Sequence, residues 1–590
     1  LGSGGAAPYG AAGGGAIRII ADTLALEGSI TANGGDAYIG GSGGSIYVNT
    51  TTFSGSGTIM ANGGNSNYYI CGSGGGGRVA MYYDSSTFEG IITAKGGTSG
   101  VAGADGTVAL VDTSHNTLHT GHSFRFQEND AANLTFTTIV MDASQVTTNG
   151  TFTLTAGELH MNQSTLVVNG NETLEIDAIT LATQSVIMPL PEAVVLIDTS
   201  SLAIDTTSSI TATGKGYPVG EGPGTGTGDG GGGYGGRGGT SGGGAVYGSA
   251  LAPTDLGSGG AAPYGAAGGG AIRIIADTLA VEGSITANGA DASYAGSGGS
   301  IYVTTTTFSG SGTIMANGGN TNYYTDGSGG GGRVAMYYDS STFEGIITAK
   351  GGTSGVAGAD GTVALVDTSH NTLHTGHSFR FQENDAANLT FTTIVMDASQ
   401  VTTNGTFTLT AGELHMNQST LVVNGNETLE IDAITLATQS VIMPLPEAVV
   451  LIDTSSLAID TTSSITATGK GYPVGEGPGT GTGDGGGGYG GRGGTSGGGA
   501  VYGSALAPTD LGSGGAAPYG AAGGGAIRII ADTLALEGSI TANGGDAYIG
   551  GSGGSIYVNT TTFSGSGTIM ANGGNSNYYI CGSGGGGRVA

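Results

Sequence analysis

Apolar and small or polar residues alternate along this chain in short bursts, and the bursts recur. "AIRIIADTLALEGSITANGG" (16–35) is followed by "SIYVNTTTFSGSGTIMANGG" (45–64) and "RVAMYYDSSTFEGIITAKGG" (78–97). Aligned on their endings, the three place Ile17, Ile46 and Val79 in one column and Ile19, Val48 and Met81 in a second. Ile30, Ile59 and Ile92 form a third, and Ala32, Ala61 and Ala94 a fourth. Within each burst the apolar positions are two apart, which is a strand period and not a helical one. A fourth start, "GADGTVALVD" (103–112), puts Val108 and Leu110 in the first two columns. From about residue 124 glycine thins but alternation continues, with turns expected at Asn149-Gly150 and Asn169-Gly170. "SITATGKG" around Ile210 echoes "SITANGG" around Ile30.

Short strands recurring every 20–33 residues are the mark of a solenoid, in which each coil hides its apolar face by stacking on the next. A longer period lies over the short one. Residues 1–255 are restated at 256–510, and 511–590 restate 1–80 without a change. The first two copies differ at nine positions, namely 26, 35, 38, 39, 40, 49, 66, 70 and 71. The domains read from this are copy 1 at 1–255, copy 2 at 256–510 and a partial copy 3 at 511–590. Each full copy divides into glycine-rich coils (1–112), β-helix coils (113–213) and a glycine-rich stretch (214–255). The expected fold is all-β, a right-handed parallel β-solenoid, handed by the general preference of parallel crossovers. Roughly ten coils per copy at about 4.8 Å each give on the order of 50 Å of axis. Residues 214–245 read either as a flexible glycine loop or as a packed polyproline-II-like layer anchored by Tyr217, Tyr234, Tyr247 and Tyr264.

Composition narrows function more than fold. Glycine occupies 125 of 590 positions, Trp is absent, and 44 acidic against 14 basic residues leave a formal charge of −30. A nucleic-acid partner needs a basic stripe, which this sequence lacks. The same balance argues against an anionic membrane surface, and there is no apolar run long enough to cross a bilayer. Cys71 and Cys581 are the only cysteines, and the position equivalent to Cys71 in copy 2 is Asp326, so neither a disulfide framework nor a thiolate catalyst is indicated. The chain begins in a glycine run and ends in a strand pattern, as an excerpt of a longer protein would.

The glycine-rich bursts at 13–112 and 214–270 resemble the repeat region of very large secreted or surface bacterial proteins, adhesin-like and built as parallel β-solenoids. That resemblance implies an extracellular or cell-surface location, and it supplies no catalytic residues.

Candidate chemistry is sparse. His115, His119 and His122 would share a face on a helix, but the Thr-rich context reads as strand and turn. Asp84, Asp105, Asp112 and Asp229 sit in expected loops and are candidate calcium ligands, with His115 and His119 as further metal candidates. Glu158, Glu172, Glu175 and Asp177, with Arg125, are the residues a β-helix polysaccharide lyase or hydrolase would use. Lys215 is followed by Gly216 where a phosphate loop needs Ser or Thr. The Thr31, Met60, Thr93 column breaks any Thr ladder of the ice-binding kind. Asn49, Asn133, Asn149, Asn162 and Asn171 head Asn-x-Ser/Thr triplets, sites for glycans or simple turns. The reading is a non-enzymatic structural segment of an extracellular fibre or stalk. It would associate with itself head-to-tail or laterally. A polysaccharide or cell-surface ligand on the glycine-rich loops is the alternative.

Overall fold

The computed structural model describes residues 1–127, 135–149, 153–169, 173–382, 390–404, 408–424 and 428–590. Glu172, Asn133 and Asn171, and the glycines of both expected Asn-Gly turns, lie outside the described residues. All regular elements among those described are strands. In copy 1 the long strands β1 (Ala16–Ala25), β3 (Ser45–Gly55) and β5 (Arg78–Phe88) alternate with short ones. These are β2 (Ser29–Thr31), β4 (Thr58–Met60) and β6 (Ile91–Thr93). Then come β7 (Thr107–Asp112), β8 (Thr117–Gln127), β9 (Phe136–Asp142), β10 (Gln145–Asn149), β11 (Thr153–Asn162) and β12 (Thr165–Val168). Copy 1 ends with β13 (Thr173–Ala182), β14 (Val186–Pro189), β15 (Val194–Ile204) and β16 (Ser209–Thr211).

The predicted columns are the observed register. Ile17, Ile46, Val79 and Val108 are successive parallel partners, as are Ile19, Val48, Met81 and Leu110. Ile30, Ile59 and Ile92 pair on the short strands, and Ile210 pairs Ile285 of the next copy. Val48, Ile59 and Ile187 are fully buried, and each such side chain contributes about 1.5–3 kcal/mol.

Each long strand serves two walls. In β3, Ile46, Val48 and Thr50 face inward, Thr51 and Thr52 are exposed in succession, and Phe53 faces inward again. The break in alternation is a corner. There the buried threonine donates to carbonyls that the bend exposes: Thr199 Oγ1 reaches Asp177 O at 3.2 Å and Ser201 O at 3.0 Å. Thr50 and Thr305 do the same. The next corner carries a serine ladder. The backbone N–H groups of Ser144, Ser164 and Ser185 donate to the hydroxyls of Ser164, Ser185 and Ser208 at 3.1, 3.3 and 3.0 Å. Ala143, Gln163 and Gln184 stand in the left-handed region beside it.

Among the described residues the sheet is parallel except at one place in each full copy. β7 and β8 pair antiparallel, Asp112 opposite Thr117, and Thr362–Asp367 pairs Thr372–Gln382 in the same way. The turn forms because Asp112 accepts from Ser114 and His115 while Asn116 adopts a φ of 51°. β8 then pairs parallel with β9, so strand direction reverses while stacking continues. The core changes side with it. Val108 belongs to one cluster with Ile46 and Met81, whereas Val111, on the opposite face of the same strand, joins Leu118 and Ile139 in another. At the second hairpin Val363 stays in that cluster, and Ala364 and Val366 pass to a third with Leu373. Reversing direction and side together leaves the sense of coiling unchanged, as near-identical coils require.

The border between copies is structurally silent. β15 pairs Ala271–Val281 along its whole length, Val195 on Ile272 and Ile197 on Ile274. Each full copy contributes nine rungs to the main sheet among the described residues.

Residues 214–245 are packed and not a free loop, and the packing continues through 255. Their glycines bond to glycine runs beside the copy 2 coils: Gly330 N donates to Gly232 O, Gly236 N to Gly331 O and Gly239 N to Ser328 O, at 2.8–2.9 Å. The runs themselves show a three-residue rhythm. Gly40 and Gly43 donate to Gly72 and Gly75, Gly41 and Gly44 to Gly35 and Ala32, and Ser42 and Ser45 to Ser3 and Gly15. Donating to three neighbours in rotation is what a helix of three residues per turn without internal bonds does, which is polyproline II. Only glycine fits where such segments touch: a Cβ on Gly244 would overlap the Gly224 carbonyl oxygen. Tyr234 and Tyr247 anchor the layer, whereas Tyr264 is exposed. The Tyr234 hydroxyl meets Ser300 Oγ at 2.7 Å, and Tyr247 O accepts Arg333 Nη2 at 2.7 Å. Arg333 is fully buried with its guanidinium 5.3 Å from the Tyr234 ring centre, while the equivalent Arg78, without that layer, is exposed.

Candidate functional site

Three places gather polar or aromatic side chains. The first is the β7–β8 hairpin, which holds Asp112, His115 and His119 of the predicted metal candidates. His115 Nδ1 lies 2.9 Å from Asp112 Oδ2, and Thr113 donates to Asp84. Burial opposes ionisation of Asp112, but the hydrogen bonds from Ser114 and His115 outweigh it and hold its carboxyl at about 2. His119 sits partly buried in β8, and burial lowers its basicity against the pull of Asp112 and Asp142. Asp105 is separate: it caps Gly96 N at 2.9 Å and faces His122 Nδ1 at 3.7 Å. Asp229 is in the glycine layer, its carboxylate accepting from the Tyr294 hydroxyl at 3.1 Å. Among the described residues no three His, Cys, Asp or Glu side chains are grouped to hold a metal ion.

The second is a groove at the first corner. Thr155, Glu175 and Asp198 follow one another in register on its wall, and Asp177 and Asp277 complete a concavity of about 540 Å³. It recurs at about 620 Å³ with Glu430, Asp432, Asp453 and Asp532. Glu158 is not there; it contacts His160 Nε2 at 2.9 Å. Arg125 lines a different pocket with Arg78 and Asp105. Of the residues named for a lyase, Glu175 and Asp177 share this groove, while Glu158 and Arg125 lie elsewhere.

The third is the row of loop tips, whose exposed rings the sequence reading did not single out as a row. Tyr9, Tyr38 and Tyr68 come from successive coils, with ring centres 5.8 and 5.3 Å apart, and Tyr69, beside Tyr68 in the same tip, stands 5.0 Å from it. Tyr519, Tyr548, Tyr578 and Tyr579 repeat the row at 6.0, 5.6 and 5.2 Å. All eight are exposed. The tips are fixed from beneath by single β-bridges, Gly10 with Ile39 and Ala37 with Ser66. A side-chain ladder adds to this: Asp36 Oδ1 accepts from Asn65 N at 2.6 Å, and Asn65 Oδ1 from Thr98 N at 2.9 Å. In copy 2, Ser293 and Tyr294 replace Tyr38 and Ile39. The ring moves one residue along, turns edge-on to Tyr264 at 6.5 Å, and opens a pocket of about 290 Å³.

No family model, curated protein or solved structure matches the chain.

Proposed function

We propose that this chain is a segment of an extracellular fibre, filament or surface stalk, a right-handed β-solenoid whose product is stiffness and length and which catalyses no reaction. The observation that carries the reading is the silent border. Ten residues of β15 keep their register into copy 2, and Val449–Ile459 meets Ala526–Leu536 identically. A chain whose copies were separate modules would place a linker there; this one places core. The acidic surface keeps such a rod soluble, and unpaired rungs at an end invite head-to-tail or lateral association with another copy. Electron cryomicroscopy tests it. Nine rungs at about 4.8 Å predict about 43 Å of axis per copy, so rods with both spacings are expected. Compact particles without axial order would refute the proposal.

A further inference from the structure

We propose that the outer face of the copy 1 glycine-rich coils, around Gly72, Gly75 and Arg78, is a docking surface for a glycine-rich strap of the 214–255 sequence carried by another chain of the same repeat. This rests on the fibre reading, for which it names the surface of head-to-tail association.

The occupant is legible because the same face is covered further along the chain. Beneath the strap at 214–255, Ser300, Arg333 and Thr362 are fully buried. Their equivalents on copy 1 are not: Arg78 is exposed, and Ser45 and Thr107 are half-buried. The backbone tells the same story. Gly327, Gly330 and Ala359 N donate to Asp229, Gly232 and Arg237 O at 2.8–2.9 Å. On copy 3, Gly582 and Gly585 N donate to Asp484 and Gly487 O at 2.7 and 2.8 Å. On copy 1 the N–H groups of Gly72, Gly75 and Ala104 have no backbone acceptor among the described residues. The glycines themselves point to an occupant. A Cβ on Gly327 or Gly330 would overlap the Gly239 or Gly236 carbonyl oxygen of the strap. On Gly72 a Cβ meets nothing within 4 Å, and on Gly75 only Ala104 O at 3.6 Å. The coils of copy 1 leave room for side chains at both positions, and it is a docked strap that requires their absence.

The strap also settles register. Apolar columns recur on every rung, so two rod ends could pair one coil out of step. The strap reads side chains that change from rung to rung. Tyr234 meets Ser300 Oγ at 2.7 Å and lies against the Arg333 guanidinium, whose Nη2 donates to Tyr247 O. Leu251 O accepts from the Tyr337 hydroxyl at 2.9 Å. Copy 1 offers Ser45, Arg78 and Tyr82 in the same order. A slip of one coil would set Tyr234 against Arg78 and Tyr247 O against Thr107.

The test titrates the 590-residue chain with a synthetic peptide of residues 214–255, read by calorimetry and amide exchange. Ordering so much glycine costs affinity. The proposal expects one peptide per chain at a Kd of about 100 µM or tighter, with slowed exchange at Gly72, Gly75 and Ala104. Gly244→Val in the peptide, which would overlap the Gly224 carbonyl oxygen, should weaken binding at least about tenfold, as should Tyr234→Ala. Arg78→Ala in the chain, at an exposed side chain, should do the same. Arg18→Ala should stay within about twofold, because its equivalent Arg273 remains exposed beside the strap. No binding, equal binding by the Arg78→Ala chain, or equal binding of a Gly-Ser peptide of the same length would overturn the assignment. The axial spacing of the rod reads the fibre proposal separately, so loss of one is told apart from loss of the other.

Discussion

At the corners of the solenoid single hydroxyls decide whether a coil can turn. A bend leaves backbone groups unpaired in a buried place, and Thr199 and the serine ladder supply what water would otherwise give. Ser164→Ala removes the acceptor of Ser144 N and should cost about 1–3 kcal/mol. Faster amide exchange in β10 and β12 than in β13 is the measurement, and unchanged exchange would show the ladder to be incidental. The hairpin titrates in one direction. His119, with its basicity lowered by burial, leaves the unfolded chain to take the proton first as pH falls below 6.5. Asp112, held at about 2 against an ordinary 3.8, adds stability that is lost as pH falls from 3.8 towards 2. Protection of the β7–β8 amides, corrected for intrinsic exchange, should therefore fall in two stages on acidification. His119→Gln should remove the upper stage alone, and a rise in protection below pH 6 would contradict both assignments.

The glycine layer shows an element held almost wholly by backbone bonds and close contact. Glycine loses the most freedom on ordering, so the layer persists because donors rotate among three neighbours and because Tyr234 and Arg333 lock it from within. Gly244→Val should expel it, since the Gly224 carbonyl occupies the required space. Tyr234, whose hydroxyl burial pushes up to about 12, should then titrate near the ordinary 10. Proteolysis should cut between 217 and 255 in the variant and not in the parent. An intact layer in the variant would mean that the glycines are dispensable. The hairpin is the other element of consequence, because among the described residues it alone reverses the strands.

For the molecule as a whole, the sequence displayed the columns and concealed the joints. Ile17, Ile46 and Val79 could be aligned because the "ANGG" and "AKGG" endings mark every coil at the same point. The hairpin was hidden because "DTSHNT" carries ordinary turn residues that do not say which way the chain leaves. Its companion signal was nonetheless present: Val108, Ala109, Leu110 and Val111 run apolar without alternation, as a strand covered on both faces must. The tyrosine row escaped because its members are spread over sixty residues and meet only after coiling. The predicted carboxylate set was legible as residues and not as a site, since which wall each occupies depends on corners that periodicity alone does not locate.

The change of side at each hairpin has a geometric corollary. Strand direction and covered face invert together at β7–β8 and invert back at 367–372. Twist aside, successive copies are thus related by a half-turn about the long axis, a twofold screw whose true translational repeat is 510 residues although the sequence repeats every 255. Tips of consecutive copies face opposite azimuths, so the two flanks of one rod differ, with Tyr38 and Tyr548 on one and Tyr294 beside Asp326 on the other.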